Sequence, residues 1–77
     1  MMSKNEQSKR IPLRDARLAA GLTQQQLSKL SGVNSRQIQK VEAGEIKAGN
    51  MTASNLLAIA DALGVDPRSL IREEASA

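Results

Sequence analysis

The chain has 77 residues, enough for one small domain. It contains no Cys and no His, which removes disulfides, the usual zinc ligands, the thiol nucleophile and the commonest general base; it also lacks Phe, Tyr and Trp, the stacking platforms of many single-strand and RNA-binding modules. The net charge of +3 is unevenly placed, with nine basic residues against four acids up to Asn50 and two against four from Met51 onward, so the front part carries a moderate electrostatic footprint for a polyanion.

No apolar run is long enough to span a bilayer, and Met1 to Arg10 is too polar for a secretory signal, so no membrane association and a cytoplasmic location are expected. Residues 1–10 have no apolar periodicity and read as a flexible tail, with Lys4, Lys9 and Arg10 as a basic arm. The spacing then predicts a first helix over Pro12 to Ala20. Proline suits its first position, where the N–H it lacks has no intrahelical partner. Gly21 stops it, and Leu13, Ala16 and Ala20 fall on one face.

A second helix opens at Thr23, where Thr23-Gln24-Gln25-Gln26 has the form of a capping box, and Leu27 and Leu30 are its expected inward residues. After a Ser31-Gly32-Val33 turn, Asn34 caps a third helix, with Gln37 three residues on, which runs to about Ala43 and stops at Gly44. Glu45 to Met51 reads as a loop. Thr52 caps a fourth helix, Ala53 to Leu63, with Leu56, Ile59, Ala60 and Leu63 as its inward stripe. Gly64 ends it, and Asp66-Pro67 opens a short fifth helix to about Arg72, followed by a frayed end over residues 73–77. With no alternating β-rich segment, the expectation is an all-α domain of five helices over residues 11–72.

The second and third helices, joined by a tight glycine-containing turn, make a helix-turn-helix. Rotating the third helix at 100° per residue places Ile38 and Val41 on the buried side, Arg36, Gln39 and Lys40 opposite, and Ser35 and Gln37 on the flanks. The outward face is polar and basic, with no acid. Arg and Lys suit guanine O6 and N7, and Gln suits adenine N6 and N7, in a major groove about 12 Å wide.

The stretches "GLTQQQLSKLSGVNSRQIQKVEAG" and "LLAIADALGVDPRSLI" make residues 13–71 resemble the phage-repressor and Cro type of helix-turn-helix protein, the xenobiotic-response-element family. The resemblance implies a five-helix, lambda-repressor-like domain that binds operator DNA, usually as a dimer, in a bacterial or phage nucleoid setting. Carried over position by position, it implies base reading by Ser35, Arg36 and Lys40, with Gln39 as an addition. It implies phosphate contacts from Gln24, at the start of the second helix, from Asn34 and Gln37, and from Lys47 in the following loop. It also implies an architectural ion pair between Arg17 and Glu42. Two positions depart from the pattern. Ser28 stands where Ala is common, and its hydroxyl is expected to bond back to a carbonyl one turn earlier. Leu57 lies off the inward stripe and is expected either on the fifth helix or in a dimer contact.

The leading expectation is therefore a transcriptional regulator, a repressor, bound as a symmetric dimer to a palindromic double-stranded operator. The alternative is an antitoxin or adaptor that uses the same scaffold to bind a protein partner. No catalytic activity, metal or cofactor is expected.

Overall fold

Local chemistry at the helix ends sets out four α-helices among the described residues. The computed structural model describes residues 11–71; the expected tails and Arg72 lie outside them. Helix α1 (Pro12–Ala19) begins on proline, and α2 (Gln24–Ser31), α3 (Ser35–Glu42) and α4 (Ala53–Leu63) begin on the side-chain caps of Thr23, Asn34 and Thr52. The Thr23 capping box is complete: the Gln26 amide donates to Thr23 Oγ1 at 3.0 Å, and the Thr23 amide donates to Gln26 Oε1 at 2.8 Å. Gly32 and Gly64 close α2 and α4 at φ +78° and +71°, a left-handed conformation that side chains with a Cβ rarely adopt. Two 3-10 turns, Ala48–Asn50 and Pro67–Leu70, complete the described structure, and no strand occurs among the described residues.

The expected fifth helix is thus a single 3-10 turn. The Ser69 amide and hydroxyl both donate to the Asp66 carbonyl, at 2.8 and 2.6 Å, which fixes the i to i+3 pattern of a 3-10 helix. The turn still does the packing expected of a helix, because it delivers Leu70 to the interior. Leu13, Leu27, Ile38, Ile59 and Leu70, one from each of α1, α2, α3, α4 and the final turn, are the fully buried large side chains. Each is worth roughly 1.5–3 kcal/mol of burial. The expected loop also contributes, since Ala48 and Met51 sit in the same core.

Two expectations about facing residues are corrected. Leu30 is 63% exposed rather than inward. On α2 it lies about 60° to one side of Leu27, whereas the half-buried residues Gln24, Ser28 and Ser31 lie on the other side, toward which the helix is turned. Ala20 is exposed beyond the end of α1, and Arg17 takes its place on the inner face with Leu13. Leu57, expected either on the fifth helix or in a dimer contact, is 55% exposed.

The α2–α3 turn is stitched by serines. Ser28 Oγ donates forward to the Val33 carbonyl at 2.6 Å, not back along its own helix as expected, and the Val33 amide donates to Ser31 Oγ at 3.1 Å. These bonds satisfy polar groups beside the buried Val33 and hold the crossing of the two helices. No helix among the described residues is long and apolar enough to cross a membrane.

Candidate nucleic-acid interface

Helix α3 is anchored by Ile38 and Val41, both buried, and this sets the direction of everything else on it. Arg36, Gln39 and Lys40 are exposed on the opposite side, and Ser35 and Gln37 are half-buried on its flanks. The single acid of the helix, Glu42, is turned inward and is only 6% exposed. The outward face is therefore free of negative charge although the helix sequence is not.

Glu42 is held by a converging set of donors. Arg17 Nε donates to Oε2 at 2.7 Å and Arg17 Nη2 donates to Oε1 at 2.8 Å, a two-point clamp between α1 and α3. Arg17 Nη1 donates to the Leu22 carbonyl at 2.7 Å, and Gln24 Nε2 donates to Glu42 Oε1 at 3.0 Å, which brings in α2 and the segment before it. Burial pushes the Glu42 carboxyl up, but the hydrogen bonds from Arg17 and Gln24, with the positive charges of Arg17 and Arg14, outweigh it and hold the group below the ordinary carboxylate range. The bond to Glu42 raises Arg17, against the opposing effect of its own burial. The implied pair is present, and it fixes three helices at one point.

This network also places Gln24. Its side chain is half-buried and one amide hydrogen is directed to Glu42, which leaves the nitrogen a second one for a ligand. Asn34 Oδ1 accepts from the Arg36 amide at 2.7 Å, so its carbonyl caps α3. Gln37 does not complete a second capping box as the sequence suggested. Its Oε1 accepts instead from Asn55 Nδ2, at 2.8 Å, across from the first turn of α4. Asn34, Arg36, Gln37 and Lys40 come together with Asn55 and Ile46 around one open surface groove between α3 and the start of α4. Gln39 lies with Arg36 and Lys40 along the neighbouring surface, toward Glu45. Ser35 faces the other way, toward the α2 surface of Thr23, Gln26 and Lys29. Lys47 is exposed just before the Ala48–Asn50 turn and does not line the groove.

Asn55 is the site residue that the sequence did not reveal. Its position in the first turn of α4, three residues after the Thr52 cap, marks it as helix-initiating, and nothing local signals a partner 18 residues earlier.

A family model described as helix-turn-helix matches residues 13–70. The chain belongs to that family, in its Cro and C1 branch. Comparison with curated proteins and with solved structures gives no match. The match begins and ends on Leu13 and Leu70, the first and last of the fully buried large side chains among the described residues. Within it, α2 and α3 are the two helices of the motif, and α3 is the one in the recognition position.

Proposed function

We propose that this helix-turn-helix protein is a transcriptional repressor that binds a double-stranded operator by placing α3 in the major groove. The observation that carries the reading is the inward rotation of Glu42, which leaves Arg36, Gln39 and Lys40 as an exposed basic and amide face with no acid on the helix to oppose it. In this reading Arg36, Lys40 and Gln39, with Ser35 on the flank, read base edges. Gln24, Asn34, Gln37 and Lys47 hold phosphates and fix the register. Arg17 and Glu42 set the helix angles and touch no DNA. The protein acts as a symmetric homodimer on two half-sites about 34 Å apart, with exposed Leu57 in the contact, and needs no cofactor and catalyses no reaction.

Selection of bound sequences from random duplexes at one fixed salt concentration tests it. A palindromic consensus containing G·C pairs is expected; an unenriched pool refutes sequence-specific binding. The adaptor or antitoxin reading has the exposed Leu18, Leu30 and Leu57 in its favour, and sequence-insensitive binding no tighter than micromolar would support it instead.

A further inference from the structure

The bond from Asn55 to Gln37 has a consequence for what Gln37 can recognise. A glutamine amide presents a donor end and an acceptor end, and a free side chain shows either by turning over. Here the acceptor end is engaged by one bond: Asn55 Nδ2 donates to Gln37 Oε1 at 2.8 Å. The donor is carried by the first turn of α4, where the Asn55 backbone N–H donates to Thr52 Oγ1 at 3.2 Å. The groove that these two side chains share is also lined by Arg36 and Lys40 and by no acid.

We infer that Asn55 is a positioning residue for DNA contact: by holding the Gln37 carbonyl it fixes the side chain with its Nε2 hydrogens left to donate, and presents Gln37 as a donor to a phosphate oxygen. This rests on the DNA-binding function proposed above and adds a third helix, α4, to the binding apparatus. A phosphate oxygen accepts hydrogen bonds and offers none, so presenting the donor end before DNA arrives removes the wrong orientation in advance. As a phosphate ligand Gln37 contributes equally to every sequence.

A double-mutant cycle tests this. Wild type, Gln37→Ala, Asn55→Ala and the double variant are titrated with the selected duplex and with one unrelated duplex at the same salt, after thermal melting by circular dichroism confirms that each is folded. Each single substitution is expected to weaken binding about three- to tenfold on both duplexes, as for one lost hydrogen bond. The double variant is expected to be no weaker than Gln37→Ala alone. If the two losses multiply, if Asn55→Ala has no effect, or if Gln37→Ala changes sequence preference, the inference fails while the proposed function stands. If wild type binds neither duplex, the proposed function itself fails and this inference with it. A scalar coupling across the hydrogen bond from the Asn55 side-chain nitrogen to the Gln37 carbonyl carbon, measured in the free protein, provides a test independent of folding and affinity; its absence overturns the inference.

Discussion

Replacing Arg17 by Met removes the charge at the junction of α1, α2 and α3 while keeping most of the side chain's length. Three hydrogen bonds go with it, two to Glu42 and one to the Leu22 carbonyl. What remains is a carboxylate only 6% exposed, with Gln24 as its remaining hydrogen-bond donor. Breaking a buried pair from one side costs about 3–5 kcal/mol, because the surviving charge has lost its counter-charge without regaining water. A domain of this size has a total stability of only roughly 3–9 kcal/mol, so the loss brings it near unfolding. With a urea slope of about 1 kcal/mol/M, the midpoint should fall by about 3–5 M. The helix signal in circular dichroism is the probe, since the chain has no aromatic residue to fluoresce. Once Arg17 is gone, burial dominates at Glu42 and raises its carboxyl, so the variant should gain stability relative to wild type as the pH is lowered toward 5. The double variant Arg17→Met with Glu42→Leu should recover most of the loss. A midpoint shift equivalent to less than about 1 kcal/mol would mean that the pair behaves as a screened surface pair, and the argument would fail.

Other outcomes follow from the same geometry. Arg36→Ala should cost about 1–3 kcal/mol of operator binding and relax preference at one G·C pair, read from selected sequences; uniform weakening with preference intact would make Arg36 a phosphate ligand. Lys47→Ala should weaken binding to all duplexes alike and reduce the slope of log affinity against log salt by about 0.9, and an unchanged slope removes Lys47 from the interface. Because folding lowers the Glu42 carboxyl, its contribution is complete at neutral pH and is lost as the pH falls from the ordinary glutamate value of about 4.3 through the folded one. The stability gap between wild type and Glu42→Gln should therefore be flat from pH 5 to 8 and narrow below it; a gap that widens in acid would contradict the sign of the shift.

Much of the fold is written in local signals. Pro12, the Thr23 box, the Asn34 and Thr52 caps and the closing glycines act over one turn of chain, so their spacing alone locates the four helices. The inward face of α3 was also legible, because Ile38 and Val41 leave little choice. Leu30 was not: periodicity says which residues share a side, but which edge of that side is covered depends on the approach of a neighbouring helix at Ser28 and Ser31. The Pro67–Leu70 segment carries helix-opening residues and one buried leucine, and its 3-10 geometry depends on how Ser69 bonds to Asp66. The Arg17–Glu42 pair came from resemblance, with no local pattern of its own. The Asn55–Gln37 bond joins two helices and had no sequence signal at all.

The central claim is that the exposed face of α3 binds duplex DNA, and reversing its charge tests this most directly. Wild type and Arg36→Glu with Lys40→Glu are titrated with the selected duplex at low ionic strength, where electrostatic binding is strongest. Wild type should bind, and the double reversal, with its helix content and melting unchanged, should lose at least about thirtyfold in affinity, as expected when each of two sites loses on the order of 1–3 kcal/mol. A folded double variant that binds as tightly as wild type, or a wild type that ignores duplex DNA under these conditions, would contradict the account.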